Sequence, residues 1–240
     1  MSGELSAAAE TLAAKCDKIT FGAPVTHTYN PLQYARKPHQ IYLQKFGGTP
    51  KKAVFWGMNP GPWGMAQTGV PFGEVSAVRD WMGISATVQA PANTHPKRPV
   101  LGFNCPRSEV SGRRLWGLFA HHYSAAADFF SDYLVLNYCP LLFLQAQGSR
   151  CINLTPDKLS ATARKPLFAA ADEHMRQATA ILRPQYLIGI GDFAAARLRE
   201  IFTDSTIKIG KILHPSPASP LANKNFAARA DQQLRDLGVW

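Results

Sequence analysis

The chain has 240 residues, 46% of them hydrophobic and 18% charged, which supplies a real core and excludes a largely disordered chain. Lysine and arginine number 26 against 16 aspartate and glutamate, and the resulting charge of +10 points to a polyanionic partner. No apolar run approaches the length of a membrane span, the first residues are rich in Ser, Glu and Ala instead of basic and then apolar, and Cys16, Cys105, Cys139 and Cys151 lack zinc-site spacing. We therefore expect reduced thiols, no bound metal, no secretion signal and no membrane. The expected location is cytoplasmic, at the nucleoid, in a prokaryote and nuclear in a eukaryote.

Leu5, Ala8, Leu12 and Cys16 recur at helical spacing, predicting an amphipathic helix over residues 2–18 with Ser2 available as its cap. Residues 20–49 mix aromatics, prolines and histidines without a period and read as irregular. Ala53–Gly57 reads as a buried strand, stopped by Asn59-Pro-Gly-Pro-Trp-Gly, through which neither helix nor strand continues. Leu115, Trp116, Phe119 and Tyr123 then carry a helical period, and a second strand, Tyr133–Asn137, ends in Tyr-Cys-Pro. A long helical period follows over residues 167–182, then a third strand, Tyr186–Ile190, and another helix over 193–201. The fourth strand, 207–213, runs into His214-Pro-Ser-Pro, and Phe226, Ala230, Leu234 and Leu237 mark a last helix.

Strands alternating with helices predict an α/β fold, a three-layer α/β/α arrangement around a short, mainly parallel four-stranded central sheet. No repeat, low-complexity tract or linker divides the chain, so residues 1–240 read as one domain. Ligands of such sheets bind beyond the carboxyl ends of the strands, because the crossover helices leave that edge to loops. Asn59, Asn137 and His214 all follow strands at that edge, which predicts one cleft shared by three loops.

Each of these residues has two readings. Asn59 can accept from a water and donate to a ligand, or close an Asx-turn on its own backbone. Phe72, held between Pro71 and Gly73, can offer a flat face to a planar ligand or anchor its loop. Asn137 can read the edge of a bound base or tie down the turn that follows it. His214 stands in a proline-stiffened turn at the cleft edge, where a chemical role outweighs a structural one, and Ser216 could bond a phosphate at the start of the last helix. Lys97, Arg98, Arg107, Arg113, Arg114, Lys208, Lys211, Lys224 and Arg229 interleave with these loops as a run of phosphates requires. No Walker loop is present, and Gly189-Ile-Gly191 lacks the third glycine of a dinucleotide fingerprint, so no nucleotide cofactor is expected.

Four segments carry a resemblance to a known family: the seventeen residues Gly57-Met-Asn-Pro-Gly-Pro-Trp-Gly-Met-Ala-Gln-Thr-Gly-Val-Pro-Phe-Gly73, then Glu109-Val-Ser-Gly-Arg-Arg-Leu-Trp116, Asn137-Tyr-Cys-Pro-Leu, and His214-Pro-Ser-Pro. Together they resemble the single-strand-selective monofunctional uracil-DNA glycosylases of the uracil-DNA glycosylase superfamily. The classical uracil glycosylases carry Asp where this chain has Asn59, the mismatch-specific branch lacks the histidine, and the iron–sulfur branch needs four suitably spaced cysteines. Asn59 together with His214 therefore selects one branch.

The resemblance implies hydrolysis of the N-glycosidic bond of a flipped-out deoxyuridine, or of a 5-substituted uracil such as 5-hydroxymethyluracil, leaving an abasic site without a cofactor. It implies that Asn59 positions the attacking water and His214 hydrogen-bonds O2 of the base. Phe72 would stack on the ring, Asn137 would pair with O4 and N3–H, and Met58, Gly61 and Met65 would wall the pocket near C5. Ser216, Pro217, Ala218 and Ser219, with Lys224, Arg113 and Arg114, would meet the DNA, single- or double-stranded, and the enzyme would act as a monomer. Related chains often carry Arg-Asn where this one has Ala218-Ser219, which predicts weaker invasion of a duplex and a larger preference for single strands or mismatches. Two rivals remain at this level: a damaged-base or abasic-site binding protein that does not cut, suggested by an amide in place of an acid at Asn59, and a small-molecule nucleoside hydrolase, for which the basic excess would serve no purpose.

Overall fold

In the computed structural model, which describes residues 1–240, the elements in chain order are α1 (Ser2–Asp17), β1 (His27–Tyr29), α2 (Pro31–Tyr34), α3 (Arg36–Phe46), β2 (Ala53–Gly57), α4 (Met65–Thr68), α5 (Val110–His122), α6 (Ala126–Asp132), β3 (Tyr133–Asn137), β4 (Leu142–Gln147), β5 (Arg150–Leu154), α7 (Ala161–Leu182), β6 (Tyr186–Ile190), α8 (Asp192–Ile201), β7 (Lys208–Ile212) and α9 (Pro220–Asp236). The four expected strands form one wholly parallel sheet in the order β3-β2-β6-β7, with Phe55 opposite Val135 on one side and Ile188 on the other. Every residue of β2, β3 and β6 is buried, which is why they read as continuous apolar runs instead of alternating ones.

Successive side chains of β2 point to opposite faces and name the layers that cover them. Phe55 meets Phe119 of α5 at 5.2 Å between ring centroids and Phe129 of α6 at 6.4 Å, whereas Trp56 meets His174 of α7 at 6.0 Å. The first face carries an aromatic core in which Phe119 and Phe129 stack at 4.3 Å and Trp116 packs edge-on against both. Burying each such ring stabilises the fold by about 1.5–3 kcal/mol. The opposite layer packs α7 against α1, and α1 against α3. The result is a three-layer α/β fold.

β2 has β3 on one side and β6 on the other, so the crossovers leave the sheet in opposite directions from β2. At such a switch point the loops at the carboxyl edge part and leave a crevice.

Three expectations fail. Ser2 is the first helical residue of α1 and not its cap; Met1 holds the cap position without a side-chain bond. Residues 20–49 are not irregular, since they contain β1, α2 and α3. The buried stripe of α3 includes His39, Tyr42, Leu43 and Phe46 at helical spacing, but a histidine and a tyrosine hide the apolar period. Tyr42 is buried because its hydroxyl donates to the Val135 carbonyl (2.9 Å) and accepts from the Val135 N–H (3.3 Å), pinning α3 to β3. The third miss is a second, antiparallel sheet in the order β1-β4-β5. β1 has three residues and β5 is mostly exposed without alternation, so neither leaves a strand signal.

Candidate active site

The carboxyl edge of the parallel sheet holds a cavity of about 190 Å³ whose lining includes Met58, Asn59, Gly61, Phe72, Asn137 and His214, with Glu109, Ser111 and the 153–155 segment at its margin. Three segments far apart in sequence therefore meet at one mouth. The sheet register brings the first two together: Gly57 is opposite Asn137, and the ladder extends into the loops as Tyr138 N–H donates to the Gly57 carbonyl (3.0 Å) and Cys139 N–H to that of Met58 (2.9 Å). A Cβ on Gly57 would lie 2.3 Å from Asn137 Oδ1 and 2.5 Å from the Phe72 ring, so only glycine lets these two side chains close over β2.

Asn59 closes no Asx-turn. Its Nδ2 donates across the mouth to the Leu141 carbonyl (3.3 Å), and no protein donor meets its Oδ1, which is free to accept from water. Phe72 anchors its loop and also lines the cavity. It has φ of +52°, strained for a bulky side chain, and it is held there because its carbonyl accepts from Trp116 Nε1–H (3.0 Å) and Glu74 N–H (2.7 Å). The strain fixes a ring that walls the cavity, 6.1 Å from the His214 ring.

Asn137 is 7% exposed and poorly satisfied. Its Nδ2 donates only to the sulfur of Met65 (3.2 Å), a weak acceptor, and its Oδ1 is buried without a partner. An orphaned buried acceptor costs about 1–3 kcal/mol, which a ligand presenting an N–H would recover. Met65 is not among the cavity-lining residues: 2% exposed, it lies against the Asn137 carboxamide.

His214 accepts from the Ser216 N–H at Nδ1 (3.1 Å). A backbone N–H can only donate, so the neutral imidazole carries its proton on Nε2. Burial holds the pKa of His214 below the ordinary histidine value, keeping that tautomer neutral. The ring rests on Gly191, whose φ is +88° and where a Cβ would lie 2.9 Å from the His214 Cβ. Sequence reading treated Gly191 only as a failed dinucleotide motif. Its signal was a glycine closing a strand, where a positive φ and a close neighbour are both served.

The turn beyond His214 is held by its own hydrogen bonds. Ser216 Oγ accepts from Ala218 N–H (3.1 Å), and Ser219 Oγ caps α9 by accepting from Ala222 N–H (3.4 Å). Arg114 donates to the Pro215 carbonyl (3.0 Å) and to Asn223 Oδ1 (2.9 Å), so it braces this turn and is not a free cation. Pro217, Ala218, Lys224 and Arg113 are exposed.

Sequence reasoning gave Glu109 no role. Its carboxyl packs on the loop after Asn59, where a Cβ on Gly61 or Gly64 would come within 2.3 Å of Oε2, and that oxygen is buried without a hydrogen-bond partner. Burial pushes its pKa up to about 7, opposed in part by the nearby Trp63 and Gly64 N–H groups and assisted by the Glu74 carboxylate. No three His, Cys, Asp or Glu side chains are grouped so as to hold a metal ion, and no helix is long and apolar enough to cross a membrane.

The model of the uracil-DNA glycosylase superfamily matches residues 44–238, which include all three segments that meet at this cavity. Single-strand selective monofunctional uracil-DNA glycosylases of Rattus norvegicus and Mus musculus are each 44% identical over 230 residues, which is 95% of this chain and 82% and 81% of theirs. That of Bos taurus is 43% identical over 224 residues, 92% of this chain and 81% of its own. The chain belongs to this single-strand selective monofunctional branch. The crystal structure of wild-type Pedobacter heparinus SMUG2 superposes with a TM-score of 0.68 over 97% of both chains, a likeness of fold at 14% identity.

Proposed function

We propose that this protein is a monofunctional uracil-DNA glycosylase, which hydrolyses the N-glycosidic bond of an everted deoxyuridine and leaves an abasic site. The observation that carries the reading is the unpartnered Asn137 Oδ1 in the cavity shared with Asn59, Phe72 and His214. A duplex hides this bond, so the nucleotide must be turned out into a pocket that stacks the base and reads its Watson–Crick edge. Uracil supplies what Asn137 lacks: N3–H donates to Oδ1, and O4 accepts from Nδ2 in place of the Met65 sulfur. Phe72 stacks on the ring.

Asn59 Oδ1 accepts a hydrogen bond from water and aims its lone pair at C1′. An amide does not take up the proton, so Asn59 orients the nucleophile and is not a strong base. As the C1′–N1 bond breaks, its electron pair passes into the ring and charge gathers on O2, where His214 Nε2–H donates. The water oxygen bonds to C1′, its surplus proton leaves, and uracil departs as an anion that solvent protonates. A donor already aimed where charge develops contributes about 3–4 kcal/mol in comparable sites.

Uracils with polar 5-substituents, 5-hydroxymethyluracil among them, belong to the same proposed substrate class. The exposed tip at Pro217 and Ala218 carries no large side chain to fill a vacated base stack, which supports a preference for single strands or mismatches over paired uracil. The protein acts as a monomer, at the nucleoid or in the nucleus. Incubating it with a uracil-containing single-stranded oligonucleotide and then with alkali tests the reading. Strand scission is expected; tight binding without scission would replace it with a damaged-base binder, and turnover of free deoxyuridine with a nucleoside hydrolase.

A further inference from the structure

Outside the cavity, a surface hollow of about 390 Å³ is lined by Trp63, Lys97, Arg98, Leu101, Cys105 and Arg107 together with three prolines. The Arg107 guanidinium stands 4.3 Å from the Trp63 ring centroid and that of Arg98 5.5 Å. None of Lys97, Arg98 and Arg107 makes an ion pair, and Arg98 Nε is buried without a partner. Leu101 is 48% exposed, one of only three large apolar side chains so open to solvent. Three uncompensated cations set on an aromatic and an apolar surface are poor packing for a protein interior, but they suit a chain that alternates phosphates with flat rings.

The hollow is rigidly joined to the mouth. Buried Gln67 donates to the Pro62 carbonyl (2.8 Å) and the Pro99 carbonyl (2.9 Å) and accepts from the Leu101 N–H (2.8 Å), fastening the Asn59 loop to the segment that bears Lys97 and Arg98. Arg98 also donates to the Cys151 carbonyl (2.9 Å), and Lys97 to that of Ser149, tying the patch to the second sheet. Trp63 is two residues from Gly61 and Arg107 two from Glu109, both of which line the cavity. Two residues span at most about 7 Å, so the patch begins within roughly one nucleotide of the everted base.

We propose that Trp63, Lys97, Arg98, Leu101 and Arg107 form a platform for the single strand of DNA adjoining the everted nucleotide, on the Asn59 side of the mouth. This rests on the proposed glycosylase reading and extends it. The guanidiniums, held flat by Trp63, meet phosphates, and the aromatic and apolar surface takes the neighbouring base without regard to its identity.

The test uses a single-stranded oligonucleotide with a stable abasic analogue at its centre, and two truncated versions that end one nucleotide to either side of it. The wild-type protein should lose affinity on removal of one flank far more than of the other. The Lys97→Ala/Arg107→Ala double variant, changed only at exposed positions, should bind the full oligonucleotide about tenfold more weakly, with a salt slope shallower by about 1.4 for two lost phosphate contacts on a single strand. It should lose nothing further when the sensitive flank is removed. Trp63→Leu should reproduce the loss of affinity at unchanged salt slope. An unchanged Kd and slope in the double variant, or equal losses on full and truncated strands, would overturn the platform. Wild-type uracil cleavage, measured alongside, tests the glycosylase reading separately.

Discussion

Replacing Glu109 by Gln should raise stability far more at pH 8 than at pH 5. The Glu109 carboxyl is sealed against Gly61 and Gly64, and its pKa rises from the usual 4.5 to about 7. A carboxyl whose folded-state pKa is raised favours the fold when protonated. That contribution is complete below the unfolded value and is lost as pH climbs through about 7. Each unit is worth about 1.4 kcal/mol, so the wild type forfeits about 1 kcal/mol by pH 5 and about 3 kcal/mol by pH 8. Gln has the shape of the protonated acid and does not titrate. Placing its NH₂ beside the Trp63 and Gly64 N–H groups adds a cost common to both conditions, so the readout is the change in the variant-minus-wild-type difference between the two pH values. At about 2–4 °C per kcal/mol for a chain of this size, the Tm difference should widen by about 4–8 °C from pH 5 to pH 8. Scanning calorimetry of both proteins at the two pH values provides the check. A Tm difference that does not change with pH would refute the argument that this carboxyl is charged at a cost in the folded protein.

Asn59→Ala and His214→Leu should each slow single-turnover uracil cleavage at least about tenfold while leaving the Kd for abasic DNA within a few-fold, because in the proposed mechanism Asn59 orients the attacking water and His214 meets the charge on the leaving base, both in the transition state. Asn137→Asp should abolish uracil excision in the same assay, since a carboxylate offers O4 no donor. Gly191→Ala should cost more than about 1 kcal/mol in urea unfolding, from its positive φ and from a Cβ set 2.9 Å from that of His214. It should also slow cleavage by displacing the imidazole.

The parts of this molecule legible in its sequence are those written in local patterns. The continuous apolar runs of β2, β3 and β6 announce strands buried on both faces, and the helical periods between them impose a parallel sheet. Asn59, Asn137 and His214 stood out because each is polar punctuation at a strand's carboxyl end, where topology alone directs a ligand. Where a period was broken by residues buried for their hydrogen bonds, as with His39 and Tyr42 in α3, or where strands were short and exposed, as in the β1-β4-β5 sheet, the local pattern carried too little apolar signal. Met65 lies against the Asn137 carboxamide, Gly191 is a seat for His214, Arg114, expected to meet DNA, is tied to the turn beyond His214, and Glu109 is sealed by two glycines of another loop. Each of these depends on which distant backbone closes over a side chain, because solvation and hydrogen-bond satisfaction are set by neighbours in space. Chain order therefore named the residues that could take part in the chemistry, and only the packed structure decided which of them face the cavity and which hold it in shape.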